Sequence, residues 1–330
     1  MRDLMTAVTV IFILPAMTAQ LFAEDGNLSI YEIQYTENED GSSYYDQQYV
    51  NCIGGIVIHK YLGSRHRLVL YDPNNWDGWG GISVKGDYNT NPMPFDDVQL
   101  GDWIYLDDVL VDESGKSRGN TDLIFKDISS YSTLSIGNSL PEPLVVDVND
   151  IAVVYDPIQE TCYVTDHRAE KYEAMYIQVR VVTIGDVNVG SHQDNYFLNK
   201  IDDPNIYCWA ADYMNIDNPD PNTPHPIVES GLELCSVSGI LEQYTKLSDG
   251  WDYYQLLTTK EEDFQIEQMA DLDGDCGVDF ADFGIFAEHW LQSGCAEPNW
   301  CGGADLVHDA NAVVDMFDLL EFTQNWLEGK

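Results

Sequence analysis

Over 330 residues the chain carries 57 Asp and Glu against 15 Lys and Arg, a formal net charge of −42. A surface that acidic repels phosphate backbones, because polyanion binding draws on Lys and Arg contacts and counterion release. It counts against nucleic acid and suits calcium, high salt and neutral partners, while the length allows two ordinary domains and an appendage.

At the N-terminus Arg2 precedes an apolar stretch from Leu4 to Phe22, then Ala23 and the acidic pair Glu24 and Asp25. That order predicts a secretory signal peptide over residues 1–23, with a retained membrane anchor as the rival reading. Pro15, Thr18 and Gln20 interrupt the run and favour cleavage. The expected location is secreted, extracellular or cell-surface associated, with no membrane span after cleavage. Disulfides among the seven cysteines suit an exported protein. The odd total leaves at least one thiol free or paired with another chain, and no CxxC spacing suggests zinc.

From Asn27 to about Phe264 the pattern predicts β-structure. Short apolar runs such as Cys52–Ile58, Arg67–Tyr71 and Asp102–Leu106 are bounded by Asn, Gly, Asp and Pro clusters. A faint duplication divides this region. The runs Tyr49–Tyr61, Leu68–Leu70, Gly80–Val84 and Val98–Leu106 lie in one half. Tyr172–Val179, Asn195–Leu198, Gly231–Leu241 and Tyr253–Leu257 lie in the other, and Leu140–Val146 forms the junction. Many short strands at this spacing argue for barrels or sandwiches.

The segments Ile30–Tyr35, Val98–Leu106, Leu140–Pro143 and Lys171–Met175 resemble those of tandem OB-fold barrels found beside the catalytic domain of some secreted bacterial nucleases and phosphatases. Asp107 and the pair Cys235-Ser236 depart from the Gly and Gly-Asp expected there. The resemblance implies a first OB-like domain over 24–145 and a second over 146–265. An immunoglobulin-like or jelly-roll sandwich is the alternative. An OB barrel is a binding platform for single-stranded nucleic acid or oligosaccharide. Only Arg65-His66-Arg67 cluster among the basic residues, and they read as a solvated loop. Trp76-Asp77-Gly78-Trp79 and Trp251-Asp252-Tyr253-Tyr254, placed in turns, could stack on sugar rings or simply close barrel ends.

The last segment, 266–330, contains a second duplication. Val278-Asp279-Phe280-Ala281-Asp282-Phe283 recurs at an offset of 36 as Val314-Asp315-Met316-Phe317-Asp318-Leu319, and Phe286 and Trp290-Leu291 return as Phe322 and Trp326-Leu327. Counting Asp271 as position 1 puts carboxylates at positions 1, 3, 5, 9 and 12: Asp271, Asp273, Asp275, Asp279 and Asp282. The carbonyl of Gly277 falls at position 7. These are the ligand positions of an EF-hand-type calcium loop. Each loop precedes a helix with one aromatic stripe, and the two stripes are expected to pack together.

This segment resembles a type I dockerin, the module that plugs into cohesin domains of extracellular assemblies. The resemblance implies a small all-α module, bound Ca2+ and a cohesin-like partner. In the second loop Asp305, Asp309, Asp315 and Asp318 are the candidate ligands, Val307 stands where a ligand is expected, and two extra residues lie near Asn311–Val313. One good site and one weakened site are expected. Cys276 and Ala310 stand where glycine is usual. Positions 10 and 11, which help select the cohesin, are Phe280 and Ala281, then Met316 and Phe317. They read a partner or pack internally.

HExxH, GxSxG and P-loop motifs are absent. His192-Gln193-Asp194 is a weak metal or nuclease signal, and no carboxylate pair stands out. The leading expectation is a mainly β, non-catalytic secreted binding or assembly protein. An extracellular polysaccharide-degrading hydrolase and a single-stranded nucleic-acid binder are the alternatives.

Overall fold

Alternating apolar residues give strands, and the computed structural model arranges them into two closed sheets. It describes residues 26–61, 66–86, 96–113, 119–190, 194–266, 269–274 and 276–326. The expected signal peptide, Arg65, His192, Gln193, Asp275 and Leu327 lie outside these.

The first sheet comprises β1 (Asn27–Leu28), β2 (Tyr49–Tyr61), β3 (Arg67–Tyr71), β4 (Gly81–Gly86), β5 (Trp103–Glu113), β6 (Thr121–Phe125) and β7 (Ser130–Ser135), with helix α1 (Ile30–Gln34) between β1 and β2. Strands pair in the order β2-β3-β4-β6-β5, and β5 returns to β2, so the ring closes. The β4–β6 pair is parallel. Closure has no free edge within the ring, which removes a template for aggregation. The β2–β5 register shifts between Cys52 and Gly55. Gly54 takes φ +68 there, and a Cβ on it would lie 1.6 Å from the Ile104 carbonyl oxygen, so this bulge requires glycine.

The α1 segment reads as part of the β region in sequence, but it is helical. Five residues are too few to show a helical period; the readable signal is the capping box, in which Ser29 and Glu32 satisfy each other's backbone N–H groups. The helix seats Ile30 and Ile33, both fully buried, against Leu68, Leu70, Ile82 and Ile104 in the barrel interior.

The second sheet contains β8 (Leu144–Val145), β9 (Val154–Asp156), β10 (Thr161–Tyr163), β11 (Tyr176–Val187), β12 (Asn195–Lys200), β13 (Tyr207–Ala211), β14 (Glu233–Lys246), β15 (Trp251–Leu257) and β16 (Phe264–Gln265). Its ring, β11-β12-β13-β15-β14, repeats the path of the first, including a parallel pair, here β13–β15. The expected junction at Leu140–Val146 is partly sheet, because β8 pairs parallel with β11.

The barrels meet through the outer faces of β3 and β4. Leu68 and Leu70 point into the first barrel, so Val69 points outward and packs on Ala174, Ala211, Met214, Ile240 and Leu257 of the second. Arg67, read from sequence as part of a solvated loop, lies in this junction and pairs with Glu242 at 2.6 Å. Lys85 pairs with Asp122 at 2.7 Å and with Glu242 at 3.6 Å. Sequence distance concealed this, since Arg67 and Glu242 are 175 residues apart.

The C-terminal segment adds α2 (Phe280–Glu288) and α3 (Met316–Gln324). Asp279 and Asp315 are their N-caps, each in a capping box with the aspartate three residues on. Phe286 and Phe322 are fully buried with ring centroids 5.2 Å apart, so the two aromatic stripes do meet. Burying each ring contributes about 2–3 kcal/mol. No helix among the described residues is long and apolar enough to cross a membrane.

Candidate calcium module and the outer faces of the barrels

In the first loop, carboxylate oxygens of Asp271, Asp273 and Asp282 lie within 4.8 Å of one another. Backbone turns create this convergence. Asp271 accepts from the N–H groups of Gly274 at 2.8 Å and Cys276 at 2.7 Å. Asp282 accepts from Leu272, Asp273 and Asp279 with both oxygens. Asp279 caps α2 through the Ala281 N–H. The loop is thus already wound around a carboxylate centre, which a hard, oxygen-seeking cation would suit.

Cys276, where glycine is usual, has φ +66 and is bonded to Cys235 on β14. The departure has a structural use: it ties the loop covalently to the second barrel. A groove lined by Val181, Leu234, Cys235, Asp271 and Cys276 runs along the tie. Cys295–Cys301 forms a second disulfide, and Cys52, Cys162 and Cys208 are buried free thiols.

The second loop is built differently. Asp318 accepts from Val307 and Asp315 N–H groups, and Asp309 and Asp315 both accept from the Asn311 side-chain amide. Asp309, Asp315 and Asp318 do not join Asp305 in a three-carboxylate group of the compactness seen in the first loop. Asp305, at position 1, is almost wholly buried, and its Oδ2 has no hydrogen-bond partner. Burial and the nearby Asp318 charge raise its carboxyl above the ordinary value. A buried carboxylate oxygen left bare costs several kcal/mol unless a proton or cation meets it.

The four residues at positions 10 and 11 are all exposed: Phe280 at 79%, Met316 at 71%, Phe317 at 62%, and Ala281. The Phe280 ring lies 5.0 Å from that of Trp326 in an edge-to-face arrangement. Leu320, one turn after Met316 on α3, is also exposed.

On the first barrel, the β3–β4 face is covered by the second barrel. On the second, β12, β13 and β15 each turn an aromatic residue outward. Phe197, Trp209 and Tyr253 are buried beneath Val153, Tyr155 and Cys162 of the β9–β10 region. Trp251 opens β15 rather than sitting in a turn, and it packs 5.7 Å from Trp209. Trp76 remains exposed on its turn, while Trp79, at φ +63, meets Tyr35 edge-on at 5.5 Å.

Comparison with known proteins adds little. No family model matches the chain, and no curated protein matches it. Among solved structures, the OB domain of a Methanosarcina mazei protein shares 20% identity, spanning 28% of this chain and 77% of its own, at a TM-score of 0.22. Fission yeast Pot1 with single-stranded DNA shares 12% identity over 72% of this chain and 85% of its own, at 0.24. A replication protein A heterotrimer bound to single-stranded DNA shares 12% over 53% of this chain and 40% of its own, at 0.23. Likenesses this distant say nothing about what this chain binds.

Proposed function

We propose that the chain is a secreted, non-catalytic binding protein in which two OB-type barrels form one block and a dockerin-like module holds that block to a cohesin-like partner. The observation that carries the docking reading is the exposure of Phe280 on α2 and of Met316, Phe317 and Leu320 on α3, two helices whose other apolar residues are already spent on the Phe286–Phe322 core. Exposed aromatic and Met side chains of this kind are the usual anchors of protein interfaces.

Calcium suits the module's donors. In the first loop Asp271, Asp273 and Asp282 would hold it, and in the second the bare Oδ2 of Asp305 would contribute. The ion would supply positive charge that lets these carboxylates share one loop. The OB reading rests on the two rings of identical strand path, each with one parallel pair. Nucleic acid is disfavoured as cargo, since Arg67 and Lys85 on the covered face are already neutralised by Glu242 and Asp122. A neutral carbohydrate at the exposed Trp76 turn fits the charge better.

Calorimetric titration of calcium into the full chain tests the module, together with binding to a panel of cohesin domains. Asp271→Asn with Asp273→Asn should abolish the first calcium site. Phe317→Asp should leave calcium binding intact and weaken cohesin binding by roughly thirtyfold, about 2 kcal/mol. A titration in which the double change removes no calcium site, or silence across the panel, overturns the reading.

A further inference from the structure

Where the barrels meet, five side-chain oxygens are buried without a partner: Gln34 Oε1, Glu113 Oε2, Glu170 Oε1, Glu173 Oε2 and Gln243 Oε1. Each belongs to a residue at most 4% exposed. All are acceptors, so donors are what this junction lacks.

The arrangement around Glu173 shows where one donor belongs. Its Oε1 accepts from the Thr121 N–H at 2.8 Å and from Gln34 Nε2 at 3.3 Å. Gln34 Nε2 also donates to the Gly81 carbonyl at 2.7 Å, which fixes which end of the amide is nitrogen. The amide and the carboxyl therefore already share one hydrogen bond, and the one bare atom on each is the other oxygen. A carboxylate facing an amide oxygen would set two acceptors together. A carboxylic acid would pair with the amide on both sides.

We propose that Glu173 is a neutral carboxylic acid that donates its Oε2 proton to Gln34 Oε1, and that this acid–amide pair is a pH-sensitive lock between the two barrels. Gln34 closes α1 in the first barrel, and Glu173 stands just before β11 in the second. Thr121 extends the lock, because its hydroxyl donates to Glu113 Oε1 at 2.8 Å while its N–H serves Glu173.

The surrounding charges favour the neutral form. Carboxyl groups approach from both sides: Glu113, Asp122, Asp40 and Asp46 from the first barrel, and Glu170, Asp252 and Glu242 from the second. The junction cations are engaged elsewhere, Arg67 with Glu242 and Lys85 with Asp122 and Glu242. His167 lies 3.6 Å from Asp252, and the Tyr254 hydroxyl donates to Glu170 at 2.6 Å. Burial, then the charges of Glu170 and Glu113, raise the Glu173 carboxyl well above its ordinary 4.5. Burial likewise raises Glu170, and it pushes Glu113 up to about 7.

The sign follows from linkage. The unfolded chain loses the Glu173 proton near pH 4.5, while the folded chain holds it to a pH well above that. Stability from the lock is therefore complete below about pH 4.5 and drains away as pH rises through the raised folded-state value.

Thermal melts of the full chain against pH, for wild type and Glu173→Gln, test this. Glutamine keeps a neutral donor at the Oε2 position. The wild-type melting temperature should fall relative to the variant by roughly 5 °C or more between pH 5 and 9. General repulsion from the acidic surface affects both proteins alike and cancels in the difference. In parallel, the 13C signal of the Glu173 carboxyl should show no ionisation in the ordinary carboxylate range near 4.5. Parallel melting curves, or a Glu173 carboxyl that titrates near 4.5, would overturn the proposal. The carbon titration decides the matter on the wild type alone if the variant does not fold.

Discussion

Val181 is a β-branched residue held at φ +52 in the middle of β11, a region of backbone space that such side chains rarely occupy. The β11–β14 register is unbroken from Arg180 against Ser236 to Val182 against Leu234, but Val181 between them is left out of the pairing. In the first barrel the positive φ within β2 falls on a glycine, Gly54. Because Val181 is partly exposed, little packing is lost with its side chain. Val181→Gly should therefore stabilise the chain by about 0.5–1 kcal/mol, read as a higher urea midpoint at unchanged slope. A drop in the midpoint would mean that the Val181 side chain packs more than its strain costs.

At the scale of elements, the duplicated C-terminal helices and the barrel are joined by one covalent link. Cys235 sits near the start of β14, and Cys276 is in the first aspartate-rich loop, 41 residues away. Closing a loop of that length contributes about 4 kcal/mol by constraining the unfolded chain. Cys235→Ser should lower the stability of the C-terminal module by about that amount while sparing the barrels, whose cores do not depend on it. Hydrogen exchange at the amides of α2 and α3 measures this directly, and uniform acceleration across both barrels would contradict it. Element identity was largely legible beforehand. The caps Asp279 and Asp315, the stripes ending in Trp290 and Trp326, and the alternation in Arg67–Tyr71 are local patterns. Helix α1 escaped because a five-residue helix offers a cap but no period. Cys276 stood out as a departure from glycine, yet its partner could not be read, because nothing local distinguishes one cysteine from another.

At the scale of the whole molecule, the junction between barrels is both apolar and charged. Burial works to raise the Glu242 carboxyl, but Arg67 and then Lys85 outweigh it and hold it at about 2. Glu242 also accepts from Tyr213 at 2.6 Å and Gln255 at 2.9 Å, so its removal leaves several donors bare. Glu242→Ala should cost about 3–5 kcal/mol, the usual penalty for uncompensating a buried charge. Chemical denaturation measures the loss. A cost under about 1 kcal/mol would mean that water readily enters the junction. Burial of the β3–β4 face also takes that surface of the first barrel out of contact with solvent.

The sequence by itself determined the β character of the central region, its division into two similar halves, the acidic surface and the C-terminal repeat with its ligand-spaced aspartates. These are carried by periodicity, composition and spacing along the chain, which local physics reads without a partner. Only the tertiary structure decided that Arg67 is buried, that Cys276 ties the first loop to a barrel, that Phe280, Met316 and Phe317 face solvent, and that Glu173 meets Gln34. Each of these depends on residues far apart in sequence, whose desolvation and pairing arise only once both barrels have closed and packed against one another.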